Sequence, residues 1–359
     1  MADAGGLRAR LLARPERALR GVSLWWTATA GVFVVVAALL GLALGPVDLG
    51  VAPVAREVLS HVPLLGVESS FSATDDAILW ELRAPRVALG LLVGAMLAAA
   101  GASYQGVFRN PLADPYLLGA AAGAGLGATI VIANDLGGDG GLDLRPVAAF
   151  AGAMLGVGIA YLLGSSVGGR ETATLILAGV TVASFLTALQ TYVQQRSADS
   201  VQEVYSWILG RLETSGWTDV LIVLPYVAVS AAVLLWHRRL LDVLAVGDDE
   251  AASLGVPVAR VRLLVVAAAT LGTAAAVAFS GLIAFVGIIV PHAVRLLAGT
   301  SYRVVLPLSL AFGAGFLVLM DLVSRTVVAP AQLPIGVVTA FLGAPFFAVV
   351  LRTTRTVGP

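Results

Sequence analysis

Long stretches of aliphatic and small residues alternate with short polar interruptions along this chain. A membrane-crossing helix needs about 20 consecutive apolar residues. Runs that meet or approach this length predict spans at 25–45, 87–108, 117–133, 146–164, 173–193, 217–236, 263–280, 304–322 and 335–351. A tenth crossing falls at 281–299, where Pro291 makes it broken or short. Trp25 and Trp26 sit where an aromatic belt would mark the first interface.

The interruptions carry most of the local information. Residues 46–86 form the longest polar connection. The stretch RNPLADPYLLG, 109–119, holds Pro111 and Pro115, which forbid a continuous helix; Asn110 and Asp114 can each cap the next turn of chain. A short GGRET turn occupies 168–172. Residues 194–217 are polar with an apolar periodicity (Val201, Val204, Tyr205, Ile208, Leu212), which predicts a helix lying at an interface. VSRTVVAPAQLP, ending at Pro334, reads as a turn.

The most polar island between apolar blocks is 238–262. Its centre predicts a short helix. Asp248 or Asp249 can cap the first turn, and Glu250 suits the positive end of the helix dipole. Ala251, Ala252, Ser253 and Leu254 add about one turn. Gly255 stops it in a left-handed position, and Pro257 prevents continuation. Such a helix is either an ordinary solvated loop or a handle for another protein.

Charge orients these spans. The chain is 58% hydrophobic and 12% charged, about half the charged fraction of soluble domains, so it is a polytopic all-α membrane protein. All 22 basic residues are arginine. With ten spans, seven of them (Arg56, Arg83, Arg86, Arg145, Arg196, Arg211, Arg325) fall on one side and fifteen on the other. The positive-inside rule makes the richer side cytoplasmic, with both termini and the island on it. Residues 1–21 are then a cytoplasmic arm, and 22–359 one transmembrane domain. Arg83 and Arg86 run against the bias, either as a local exception or as a docking site for an acidic external partner.

Several chemistries are excluded or disfavoured. A net charge of zero argues against nucleic acid. The absence of cysteine removes thiolate metal sites and a cysteine nucleophile. The absence of lysine removes the phosphate-binding loop GxxxxGK[ST], so any ATP hydrolysis comes from a partner. His61, His237 and His292 are dispersed, and no metal site is expected. Asp321 lies four residues before Arg325, the favourable order for an intrahelical pair, and serves as a local salt bridge or a proton relay. Few other ionisable residues fall within spans, which argues against an ion-coupled transporter and against a membrane enzyme. His292, between Pro291 and Arg295, reads as a structural donor. Gln105, Gln190, Thr191 and Gln194 either line a passage or bond between helices. Gly101, Pro111, Ala113, Leu117 and Gly119 match Gly281, Pro291, Ala293, Leu297 and Gly299 at a constant offset, which suggests duplicated halves.

The stretch RAPRVALGLLVGAMLAAAGASYQGVFRNPLADPYLLG resembles the FecCD-type permeases, membrane subunits of ABC importers for iron–siderophores, haem and cobalamin. The resemblance continues through GDDEAASLGVPVARVR, SGLIAFVGIIVPHAVR, SYRVVLPLSLAFGAGFLVLMDLVSR and LPIGVVTAFLGAPFF, covering about 80–352. It implies a ten-helix subunit of the type II importer fold in the bacterial cell membrane. It also implies a second permease subunit, two ATPase subunits below and a substrate-binding protein above. ATP and magnesium would sit on the ATPase, and this chain would bind no cofactor. Residues 247–258, including Gly247, Val256 and Pro257, match the family's ATPase-coupling segment. Arg83, Arg86 and Arg325 match external arginines that pair with acids on the binding protein. Spans five and ten, the latter with Gly336 and Gly343, would line the passage at the dimer interface. DPYLLG and the Trp207–Gly210 stretch look closer to siderophore or cobalamin permeases than to haem ones, and a ferric siderophore is the expected cargo.

Overall fold

The computed structural model describes residues 21–61, 66–69, 71–136, 143–168, 172–214 and 216–355, and the arm at 1–20 and residues 169–171 of the GGRET turn lie outside them. Among the described residues, thirteen helices run in order. They are α1 Leu24–Ala43, α2 Val51–Ser60, α3 Ala73–Phe108, α4 Ala120–Ala133, α5 Arg145–Gly168, α6 Thr172–Arg196 and α7 Val201–Ile208. After them come α8 Trp217–Leu244, α9 Asp248–Ser253, α10 Val258–Ser280, α11 Val286–Ala298, α12 Tyr302–Thr326 and α13 Ile335–Arg355. Of these, seven are long and apolar enough to cross a membrane, and α4, α11 and α13 are shorter apolar helices. Together these make the expected ten.

The bundle is layered by residue size. In α3, α10 and α12 most of the apolar window is buried, whereas α1, α6 and α8 keep most of theirs outward. Lipid is as apolar as leucine, so helices associate in a membrane by close backbone approach at small residues. The inner spans are rich in Gly and Ala accordingly. A Cβ added at Gly94 would lie 2.2 Å from the Gly313 carbonyl oxygen on α12, and one at Gly101 would lie 2.0 Å from that of Gly287 on α11. Gly123 on α4 meets Gly152 on α5 in the same way.

Four expectations are corrected. First, the second span begins well before Val87: α3 runs from Ala73 through a π-helical turn at Ile78–Arg83. Second, α8 continues to Leu244, so Arg238 and Arg239 sit on its last turns and the connection to α10 shortens to 245–257. Third, α12 continues to Thr326, so Arg325 belongs to a helix rather than a turn. Fourth, the proposed duplication does not map onto equivalent structure. Gly101 lies inside α3 while Gly281 breaks the chain at φ +66, and Pro111 lies in a turn while Pro291 lies inside α11.

The spans have two ends. One carries α9; the other carries α2 and the start of α3. Irregular backbone near the α2 end is tolerated because it bonds to itself. The Arg211 amide donates to Ser280 O (2.8 Å), and Ile335 and Gly336 donate to Gly210 O and Leu209 O (3.0 Å each). Gly210 adopts φ +76 with Leu282 O at 2.7 Å from a notional Cβ, so no other residue fits that crossing.

Candidate functional site

The α9 end is built around a turn that stands out from the bundle. Gly247 (φ +153) enters α9 with no side-chain cap. Gly255 (φ +79) ends it, its amide donating to Ala252 O at 2.9 Å and that of Val256 to Ala251 O at 3.0 Å. This is a Schellman motif, as Gly255 predicted. Ala251 is fully buried, whereas Asp249, Glu250, Ala252, Ser253 and Pro257 are exposed. Val246 and Leu254 flank the helix at 70% and 71% exposure. On a lipid-facing span such exposure is ordinary. On a connection beyond the spans it presents two apolar side chains, rimmed by charges, to water.

The expected cap by Asp248 is corrected. Its carboxylate accepts from Nη2 of Arg262 on α10 at 2.8 and 3.0 Å, and Nη2 of Arg109, at the end of α3, lies 3.6 Å away. Arg262 is one of the largest fully buried side chains. Six residues before Asp248, Asp242 accepts from Ser301 Oγ (2.8 Å) and the Tyr302 amide (2.6 Å) at the start of α12. Arg295 continues this network, donating to Gln105 Oε1 and to the Tyr302 hydroxyl (3.3 Å), while Gln105 Nε2 donates to Gly287 O (3.0 Å). Sequence reasoning named Gln105 and Arg295 but missed Asp242, Arg262 and Arg109 as partners.

The 109–119 interruption forms the turns it predicted. Asn110 Oδ1 accepts from Leu112 N and Asp114 Oδ1 from Tyr116 N, both at 2.9 Å, and Pro115 opens a 3₁₀ turn. Pro111 is exposed in the first turn. Burial pushes the Asp114 carboxyl up to about 6, against the Tyr116 amide, which pulls it down. Pro291 lies buried inside α11 and half-buried His292 faces Phe346 edge-on at 5.8 Å, so α11 touches α13. Pro334 accepts from Val337 N at 3.1 Å to start α13, and Gly336 beside it abuts Leu209 O.

At the α2 end, Asp321 is a hub rather than half of a local pair. It accepts from Arg86 of α3 (2.8 Å) and faces Arg325 Nε (3.1 Å). Arg86 also reaches Gln332 Oε1 at 3.0 Å. Arg83 donates to Leu42 O and Ala43 O (2.8 Å each) and to Val47 O, and Arg325 donates to Gly41 O (2.9 Å). Two arginines thus satisfy carbonyls that the end of α1 leaves without intrahelical partners. Of the three arginines expected to pair with a binding protein, Arg83 and Arg325 are 6% and 3% exposed, while Arg86 is half-buried. The exposed side chains at this end include Glu68, Asp76, Glu81, Glu203 and Glu213.

Among the described residues the chain is an all-helical, multi-pass bundle with a turn standing out at one end, the architecture of a polytopic membrane protein. The chain belongs to the FecCD transport family, which it matches over residues 33–353. It is a permease subunit of the metal-chelate type of ABC importer. It is 38% identical over 367 residues to the cobalamin import system permease protein BtuC of Halobacterium salinarum, covering 94% of this chain and 98% of the relative. It is 36% identical over 320 residues to the iron(3+)-hydroxamate permease FhuB of Bacillus subtilis (89% and 80%) and 37% identical over 289 residues to the hemin permease HmuU of Yersinia pestis (77% and 84%). A solved structure described as an inward-facing metal-chelate type ABC transporter superposes with a TM-score of 0.78 at 28% identity, covering 90% of this chain and 98% of that one.

Proposed function

We propose that this chain conducts a bulky metal chelate into the cytoplasm, driven by ATP that separate ATPase subunits bind with magnesium and hydrolyse. The observation that carries the reading is the pair of apolar side chains flanking α9, Val246 and Leu254, outside the spans and each exposed at about 70%. A groove on an ATPase would cover it, and the α9 end with both termini would then be cytoplasmic. The α2 end would face a substrate-binding protein, and a second copy of this chain would complete the passage along α6 and α13. A ferric siderophore is the first candidate cargo. Cobalamin is the second reading, favoured by the Halobacterium salinarum relative that spans nearly the whole chain. An ion-coupled mechanism has little to run on, because Asp321 is engaged by two arginines.

The test is reconstitution in liposomes with the cognate ATPase and binding protein, titrating a ferric hydroxamate, cobalamin and haem while following ATP hydrolysis and uptake. Uptake of one of them that requires ATP is expected. Uptake that persists without the ATPase would contradict the reading, and hydrolysis that none of the three stimulates would remove this cargo class.

A further inference from the structure

The exposed tip and the buried centre of the bundle meet at one carboxylate. α9 protrudes from the molecule, yet Asp248 at its first residue grips Arg262, which is 2% exposed, with both oxygens within 3.0 Å. Arg109 approaches the same carboxylate from the end of α3, where a left-handed residue (φ +49) turns the chain out of the helix. α3 and α10 are the two most buried spans. One polar side chain therefore joins the most exposed turn to the two innermost helices, beside the packing of the buried Ala251. The other polar side chains of α9 bond locally at most, as Ser253 does to Glu250 O at 2.8 Å.

The connection is also held from its other side. Asp242, on the last turns of α8, grips the start of α12 through Ser301 and Tyr302 and lies 3.6 Å from Arg303. The 245–257 connection is thus held by two acidic anchors, Asp242 just before it and Asp248 within it. Without these anchors a flexible loop of such length would absorb a push by bending. Breaking Asp248 from Arg262 would cost a buried guanidinium two hydrogen bonds to a carboxylate, a loss that charged hydrogen bonds resist.

We propose that Asp248 is a positioning residue, a latch that makes α9, α10 and α3 move as one body when an ATPase displaces α9. The proposal rests on the reading of α9 as the ATPase seat. It names Asp248 and Arg262, rather than the tip residues, as what converts contact into motion of the spans. The energy spent on ATP would otherwise move only the tip.

The chain has no cysteine, so Ser253→Cys and Leu264→Cys give one pair of spin labels per permease subunit, on α9 and on an outward-facing position of α10, and dilution with unlabelled permease isolates the distance within one subunit. The experiment uses the complete importer in lipid nanodiscs, with and without ATP and vanadate. With Asp248 present, the distance between labels should stay single and unchanged when nucleotide is added. With Asp248→Asn it should shift or broaden on nucleotide addition, and stimulation of hydrolysis by the binding protein, taken per bound ATPase, should fall about tenfold, within the range that residues of a coupling network impose. Asp248→Glu should restore much of both readouts, which a general packing defect would not. An unchanged distance and full stimulation in Asp248→Asn would overturn the latch. Failure of the underlying reading looks different: Leu254→Glu would then leave ATPase binding intact, whatever Asp248 does.

Discussion

The two ends of this permease differ in what their inward-pointing charges leave outside. At the α2 end, arginines point inward: Arg83 and Arg325 close the last turn of α1, Arg86 and Arg325 share Asp321, and mainly acids are left outside. At the α9 end, charge also points inward at Asp248 and Asp242, but it leaves an apolar tip facing water. The first arrangement satisfies itself. The second is satisfied at its base and unfinished at its tip. Two exposed apolar side chains rimmed by charges offer a protein partner something to cover. The difference teaches that ion pairs at both ends are structural, and it supports the proposal that an ATPase docks on the exposed Val246 and Leu254.

The contrast breaks most severely at the hub. Asp321→Ala would leave Arg86 and Arg325 without their shared partner, and removing one member of a buried pair costs about 3–5 kcal/mol. Unfolding of the detergent-solubilised chain by denaturant should show that loss, and a change below about 1 kcal/mol would mean the cluster is solvated, as an exposed pair would be. Gly255→Ala tests the opposite end. Its φ of +79 strains any L side chain by about 1–2 kcal/mol, so the turn should fray with little effect on global unfolding. Hydrogen exchange at 251–256 reads that difference, and unaltered protection there would contradict the Schellman closure.

A smaller effect sharpens the comparison through pH. Burial raises the Asp114 carboxyl to about 6, above the unfolded value near 4. Its favourable contribution is therefore complete below about pH 4 and lost as pH rises through about 6. Asp114→Asn should flatten the stability profile in that window, and an unchanged slope would assign the dependence to another group. Smallest of all is Asp249→Ala, one residue from the latch but exposed, where stability should move by no more than about 0.5 kcal/mol.

What the sequence made legible was local. Gly255 and Pro257 marked the end of α9, and Asn110 and Asp114 marked their turns, because capping and turn chemistry act over two to four residues. Apolar run length located the ten apolar helices, though it placed the ends of α3, α8 and α12 short, since a helix continues past the membrane for as long as its polar side chains find partners. Asp248 misled because an acid opening a short helix looks like a cap, while its partner Arg262 lies beyond the next turn. The Arg86–Asp321 pair joins residues 235 apart, and no local signal announces it. Arg83 and Arg325 read as outer arginines by span topology and by resemblance; their inward aim depends on where α1 ends.

The central claim is that the exposed tip is the face an ATPase covers. Binding of the cognate ATPase to the permease in nanodiscs, wild type against Leu254→Glu, measures this directly. Weakening by at least about tenfold, close to 1.4 kcal/mol, is expected from a side chain whose replacement leaves the fold intact. Equal affinity for the two proteins would contradict the claim.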